Sequence, residues 1–427
     1  MEYRRNGKKR WCSLLLAVCL TLSLTACSSG AAATTQESTV PAVETTAAAT
    51  TATAAPTEAA TTAESVKADV PEKSDALAEP MSRPVRVASI CLAPGYSTEP
   101  DAILAEIDRV GANGVDLVVT PEVWTGETAE PDGEDYTSPV LDRAKEAAKK
   151  YSTYLVVCMG RYASDKESQA ARDADTDGVW KDVKRFKYNS CFLIDREGKI
   201  VYIYDKVYPY PPEFNTADGV EMNFKEMTEA PMQEEATLPG THAGIYDCDF
   251  GRLGLAICFD MNFPELWRQM AIEGAELVVW PSAYSGGRNA SARAAANNYY
   301  IVSCTGIGKG DCRVVDVNGD ELIVQYPEAG AVTNTVEVTL NLDRTVFHKN
   351  FNDGKIEQIL KDYPGKVEVD KSLYYEEEWM ILWTTSDGLT VKDLCEEYGL
   401  VPLREFKTTA VGDYVDGLRG GHIYWNE

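Results

Sequence analysis

Apolar and polar positions divide this chain into three regimes. Positions 11–26 are predominantly apolar, positions 28 to about 80 are Ala, Thr, Ser, Glu and Pro without hydrophobic period, and from Val85 onward compact apolar runs alternate with amphipathic stretches. The runs 85–91, 115–120 and 154–159 are apolar at their centres and predict buried strands, because a strand covered on both faces shows no alternation. Between them, Ile103, Leu104, Ile107 and Val110 share one helical face behind Thr98 as the expected cap, and 138–150 predicts a second helix. The segments 189–195 and 200–204, joined by Arg196-Glu197-Gly198-Lys199, predict a hairpin. Further strands are expected at 244–248, 253–257, 277–280, 299–304, 312–317 and 321–325. A helix is expected from Phe263, with Pro264 in its first turn and Leu266, Trp267, Met270 and Ala271 on one face; another carries Arg293 and Asn297. Strands and helices thus alternate in two similar rounds, which predicts an α/β sandwich. Beyond about 346 the clear pattern is a helix at 389–399, with Thr390 and Asp393 as a capping box.

The first regime changes how the rest is read. Arg4, Arg5, Lys8, Lys9 and Arg10 precede the apolar run, which is shorter than the ~20 residues of a comfortable membrane span, so 1–26 is expected to be an export signal. It ends in Leu24-Thr25-Ala26-Cys27, which resembles the bacterial lipobox, where cleavage before the Cys follows attachment of a diacylglycerol to its sulfur. Cys27 is therefore the expected lipidation site, placing the protein on a cell membrane or outer membrane and facing away from the cytoplasm. Residues 27–82 read as a lipidated Cys with a disordered tether, 83–345 as the catalytic domain and 346–427 as a C-terminal extension.

The chain has 41 Lys and Arg against 67 Asp and Glu, a formal charge of −26 that argues against binding a nucleic-acid backbone. Eight of its eleven cysteines follow Cys27: Cys91, Cys158, Cys191, Cys248, Cys258, Cys304, Cys312 and Cys395. Most lie in apolar runs and read as core thiols. There is no Cys-x-x-Cys pair and there are only three histidines, so no zinc site is expected and no cofactor is implied. Cys304 and Cys312 flank a glycine-rich turn and are placed to face each other across a hairpin; whether they pair as a disulfide stays open. An exported chain so rich in thiols suits a weakly oxidising habitat.

Three residues carry the candidate chemistry. Cys258 follows the apolar run 253–257 and precedes the helix from Phe263, an elbow that lifts a side chain out of a sheet and turns the next backbone N–H groups toward a developing oxyanion. Taken alone it reads equally as a buried thiol or as a nucleophile. Glu122 follows the strand 115–120, where α/β sheets place ligands, and reads alternatively as a solvent carboxylate. Lys206 follows the hairpin's second strand, a position otherwise typical of a snorkelling surface cation. The loop 207–239 is long, acidic and Pro-rich, as lids and pocket walls are.

In this order, Pro-Glu-Val-Trp around Glu122, Tyr-Asp-Lys-Val-Tyr-Pro around Lys206 and Ile-Cys-Phe-Asp-Met-Asn-Phe-Pro-Glu around Cys258 resemble the Glu–Lys–Cys signature of the nitrilase superfamily of carbon–nitrogen hydrolases. The hairpin and the segment 274–282 are also similar to that family, and the likeness covers about 85–340. The resemblance implies a four-layer α-β-β-α sandwich, subunits that pair into a homo-oligomer, and a small-molecule amide substrate. It implies that Cys258 is the nucleophile, Glu122 the general base and Lys206 the oxyanion partner together with the Phe259 N–H. Glu213, in Pro-Pro-Glu-Phe-Asn, stands where members carry a second glutamate that positions substrate or base, although this loop departs from the more usual His-containing version. Asp260 with Phe263-Pro264-Glu265 looks like the amidase and carbamoylase branches rather than the nitrile-cleaving one. Arg288 would face a substrate carboxylate, or else is a surface residue at a helix start, and Tyr284 is a further substrate-binding candidate. Arg293 and Asn297 match a framework pattern in which Ala296 replaces a frequent Glu. The expected activity is cleavage of a small amide or N-carbamoyl compound through a thioester; the alternatives are a scaffold lipoprotein without turnover and an acyltransferase.

Overall fold

The computed structural model of the protein describes residues 81–175, 183–210, 215–216, 219–220, 237–306 and 310–410. The tether and Cys27 lie outside them, as does Glu213. Strand β1 (Pro84–Leu92) runs antiparallel to β16 (Thr333–Asn341) along its whole length and parallel to β2 (Leu117–Val119). β2 pairs in parallel with β5 (Tyr154–Tyr162), whose far end meets β3 (Thr128–Asp132) of a small hairpin with β4 (Asp135–Thr137). On its other edge β5 pairs with β6 (Lys187–Ile194), and β6 with β7 (Ile200–Asp205). A two-residue pair, β8 (Asn215–Thr216) and β9 (Gly219–Val220), lies in the long loop that follows. The second sheet runs β10 (Gly244–Cys248), β11 (Gly251–Leu255), β12 (Leu277–Ser282), β13 (Tyr300–Thr305), β14 (Cys312–Val315) and β15 (Glu321–Gln325), with β11, β12 and β13 mutually parallel.

The layering follows from the strands' two-residue period. Val85, Val87 and Cys91 of β1 point into one core with Leu253, Leu255, Leu277 and Val279 of the second sheet. Ala88, Ile90 and Leu92 point the other way, into a core shared with helices α1 (Pro100–Ala112) and α2 (Pro139–Tyr151). The outer face of the second sheet packs Val278, Trp280 and Ile301 against α4 (Pro264–Ile272) and α5 (Arg288–Asn297). Both faces of each central strand are therefore apolar, and the result is a four-layer α-β-β-α sandwich.

Several local expectations change. Thr98 does not cap α1, whose N-cap is Glu99 without a side-chain bond; Pro100 occupies the first turn, where its missing N–H costs nothing. Ser138 does cap α2, accepting from the Leu141 N–H. Strand β2 is shorter than the apolar run around it, spanning only Leu117–Val119. Helix α3 (Asp165–Ala174), with a Ser164–Glu167 capping box and no buried residue, has no apolar face to betray it in sequence. β16 was not expected, although Val336, Val338 and Leu340 alternate in period two.

The C-terminal extension has its own small core. Strands β17 (Thr345–His348), β18 (Val367–Asp370) and β19 (Trp379–Thr384) form a sheet ordered β17-β19-β18, covered by α6 (Lys349–Asp362) and α7 (Val391–Tyr398). The capping box of Thr390 and Asp393 forms as expected at the start of α7. The unit rests on this chain's own body, where Arg404 bonds the Ala275 carbonyl and Lys407 that of Ala296.

Candidate active site

Glu122 is held by the backbone on either side of it. The Thr120 N–H and hydroxyl both bond the Val156 carbonyl, the buried Trp124 indole donates back to Thr120 Oγ1 at 2.8 Å, and the Val123 N–H bonds the Cys158 carbonyl. Between these anchors Val123 adopts φ +54°, costly for a β-branched residue, and such strain persists only where the surroundings impose it. The Glu122 carboxylate is 5 % exposed. Its Oε1 accepts from Asn189 Nδ2 at 2.8 Å and from Lys206 Nζ at 3.0 Å. Its Oε2 is buried and has no hydrogen-bond partner of ordinary geometry among the described residues.

Lys206 is 1 % exposed and arrives on the β6–β7 hairpin. Its own N–H bonds the Asn189 carbonyl at 2.8 Å, so one residue of β6 fixes both the lysine backbone and its carboxylate partner. Asn189 is oriented in turn by the Cys158 thiol, which donates to its Oδ1. The preceding residue, Asp205, accepts from Arg161 Nε at 2.8 Å, Arg161 Nη2 at 2.6 Å and Ser190 Oγ at 2.7 Å. Arg161 also pairs with Glu167 and lies over the rings of Tyr188 and Tyr136. Burial opposes ionisation of Glu167, yet Arg161 and Ser164 hold its carboxyl down at about 2. Gly240 closes over this segment, bonding the Lys206 carbonyl; a Cβ there would stand 2.1 Å from the Asp205 carbonyl oxygen, so no larger residue fits.

Cys258 does not pass directly from strand to α-helix. β11 ends at Leu255, Ile257 remains extended, and Cys258 opens a 3₁₀ turn, Cys258–Asn262, before α4 begins at Pro264. Its φ of +44° is again left-handed backbone on a side chain that disfavours it. The Trp280 indole fixes the Cys258 carbonyl at 3.0 Å. Asp260, fully buried, ties the turn to the lysine-bearing segment: it accepts from the Ile257 N–H at 2.9 Å, the Tyr204 hydroxyl at 2.7 Å and the Tyr208 N–H at 2.9 Å. Burial raises the Asp260 carboxyl to about 6 against these three donors. The Cys258 thiol is 8 % exposed. Burial and the nearby Glu122 charge push it up to about 12, opposed by Lys206 and the Ala283 N–H. The resting thiol is thus neutral and in hydrogen-bond contact with the Glu122 carboxylate. Such a pair suits proton transfer during attack rather than a preformed thiolate.

The other sequence candidates divide. Phe259 lies in the first turn of the 3₁₀ helix, where leading N–H groups lack an intrahelical acceptor. Tyr284 packs edge-on against Trp280, and its hydroxyl, held up to about 12 by burial, senses the charges of Cys258, Lys206 and Glu122. Arg288 is exposed at the start of α5 and has no ion pair among the described residues. Arg293 bonds the Met261 carbonyl through Nε and Nη2 and so braces the turn from behind. Sequence reading gave no part to Asn189 or Trp280, whose contacts span 67 and 22 residues, and noted Asp260 only as a branch marker. The available signal was Asp260 itself, a carboxylate two residues beyond a Cys within an otherwise apolar stretch. The described residues contain no cluster of His, Cys, Asp and Glu arranged to hold a metal.

Comparison with known proteins gives one family. The family model "Carbon-nitrogen hydrolase" matches residues 86–346. A hydrolase of Schizosaccharomyces pombe is 24% identical over 235 residues, covering 52% of this chain; the chain spans 64% of that protein's length. A deaminated glutathione amidase of Yersinia enterocolitica is 24% identical over 277 residues, covering 59% of this chain and 87% of the amidase. Among solved structures, Saccharomyces cerevisiae Nit3, of the nitrilase superfamily, aligns at 20% identity with a TM-score of 0.46 over 67% of this chain and 96% of its own.

Proposed function

Because the chain belongs to the carbon–nitrogen hydrolase family, we propose that it cleaves the C–N bond of a small amide or N-carbamoyl compound through a thioester on Cys258. Glu122 takes the thiol proton as sulfur attacks the carbonyl carbon, and the oxyanion forms beside Lys206 Nζ and the Phe259 N–H. Collapse expels ammonia or an amine, which receives the proton from Glu122. Water then attacks the thioester with Glu122 again as base, releasing the acid and the free thiol. The observation that supports this most directly is the buried Glu122–Lys206 pair, 3.0 Å apart, beside a Cys258 thiol that senses both charges. Two charges taken out of water without a task would be costly, and a buried carboxylate whose Oε2 is free of other donors beside a thiol is what a general base requires. Among the relatives, the Yersinia protein carries the name of an amidase, in keeping with amides over nitriles.

The test is ammonia release over amides, N-carbamoyl amino acids and nitriles, comparing the protein with Cys258→Ala. Turnover of at least one amide or carbamoyl compound is expected, abolished in the variant while its thermal midpoint is retained. Release unaffected by the substitution would sink the nucleophile assignment, and no release from any substrate would favour a scaffold role. We also propose a diacylglycerol anchor on Cys27, supported by the basic residues, apolar run and Leu-Thr-Ala-Cys that precede it. Cys27→Ser should shift the expressed protein from the membrane to the soluble fraction; an unchanged distribution would refute the anchor.

A further inference from the structure

Three thiols meet between the two sheets, outside the groups that the proposed reaction uses. Cys91 comes from β1 of the first sheet, and Cys304 and Cys312 from β13 and β14 of the second; all three are fully buried. Cys304 and Cys312 are direct partners in the antiparallel register, yet their sulfurs part company. Cys304 Sγ meets the carbonyls of Ile90 and Val119 and also lies in hydrogen-bond contact with Cys91, but not with Cys312. Cys312 Sγ turns across to Cys91 Sγ, 2.8 Å away. That separation is shorter than the 3.2 Å and 3.4 Å the same sulfur keeps to the smaller carbonyl oxygens of Asn334 and Ser89. A covalent S–S bond of about 2.05 Å needs only a slight further approach of the two sulfurs.

We propose that Cys91 and Cys312 form an intersheet disulfide when the protein meets a disulfide oxidant, with Cys304 the thiol left free. The chemistry balances as two exchanges. The Cys91 thiolate attacks one sulfur of a low-molecular-weight disulfide and expels one thiolate; the Cys312 thiolate then attacks the Cys91 sulfur and expels the second. Two protons leave the protein thiols, two electrons pass to the oxidant, and the oxidant ends as two thiols. Because the trio is closed to solvent, exchange proceeds while the sheets are apart, as the chain folds, and either thiol can attack first. Once the sheets close, Cys91 Sγ accepts the Thr305 N–H at 3.2 Å, a contact that holds the sulfur in place. The crosslink would join positions 221 apart in sequence and clamp β1 to β14. Ahead of β14, the Asp311 carboxylate accepts from the Ser285 hydroxyl. Just after β13, a Cβ added at Gly306 would meet Pro121 at 3.4 Å and the Glu122 carbonyl at 3.5 Å, so the end of this strand lies beside the loop that carries Glu122.

The test uses the full chain carrying Cys258→Ala, so that the proposed nucleophile does not consume the oxidant and the result stands apart from the hydrolase reading. Protein refolded from urea with oxidised glutathione is denatured, blocked with N-ethylmaleimide, digested without reduction and mapped by mass spectrometry. Cys91 and Cys312 peptides should appear linked, with Cys304 alkylated. The thermal midpoint should exceed that of protein refolded with reduced glutathione by about 5 °C. Alkylation of both Cys91 and Cys312, or linkage of Cys312 to Cys304, would overturn the proposal. Cys304→Ala should retain the link, and its loss there would equally overturn the pairing.

Discussion

Asp260 carries a carboxylate to a place that water does not reach, and three donors, one from its own turn and two from the segment around Lys206, converge on it. Burial raises its carboxyl to about 6, above the ordinary aspartate value near 3.9. Folding therefore favours its protonated form. Its contribution to stability is full below about pH 4 and is lost as pH rises through about 6. The loss is at most on the order of 3 kcal/mol, from a shift of about two pH units. Relative to Asp260→Asn, the protein should lose stability between pH 4 and 7; denaturant midpoints at a series of pH values measure it, and parallel profiles would refute it. The ionised form above pH 6 is nonetheless the one that accepts from Ile257, Tyr204 and Tyr208 together. The protein thus trades stability for a fixed Cys258 turn, a pattern expected where a site must be preorganised.

At the level of elements, the β6–β7 hairpin is the piece that brings a cation to Glu122. Its register with β5 and the bracing of Asp205 by Arg161 set where Lys206 begins. Arg161 is almost wholly buried, with carboxylates of Asp205 and Glu167 on one side and aromatic rings on the other. Removing it leaves the partly buried Asp205 carboxylate without its main partner. Arg161→Met should destabilise the fold by on the order of 3 kcal/mol, read by urea denaturation. It should also lower kcat more than it raises KM if the element delivers the proposed oxyanion partner rather than a substrate contact. A loss confined to stability, with kcat unchanged, would show that Lys206 is placed without this brace. Little of the network was legible beforehand. The hairpin showed in its two apolar runs and turn residues, whereas Arg161 sits at the end of a strand pattern, where an arginine ordinarily reads as solvated.

Over the whole molecule, the sandwich and the C-terminal unit are joined by polar groups as well as apolar contact. Asp343, just beyond β16, accepts from the Thr384 N–H at 2.9 Å and hydroxyl at 2.7 Å, and from the Val391 N–H at 2.8 Å at the start of α7. Asp343→Ala strips three buried donors of their acceptor and should cost about 2 kcal/mol. The loosening should appear as faster hydrogen exchange at the Thr384 and Val391 amides; exchange that stays as slow as before would sink this account of the junction.

What the amino-acid order determined by itself was local. Apolar runs at 85–91 and 154–159 are strands because runs this short bury both faces more readily as strands than as helices, and the Thr390–Asp393 capping box starts a helix wherever that helix packs. Glu122, Lys206 and Cys258 were legible as strand-end residues and through a family resemblance. Only the tertiary structure decided which atoms meet. Periodicity reports neighbours a turn or two away, but β16 finds β1 across more than 240 residues, and Asn189 finds Glu122 across 67. Cys312 shows the division most plainly. Its hairpin partner Cys304 could be read from the turn between them, yet its sulfur lies against Cys91 of the opposite sheet. A register fixes where a Cα stands, while the packing of one sheet on another fixes where the side chain goes.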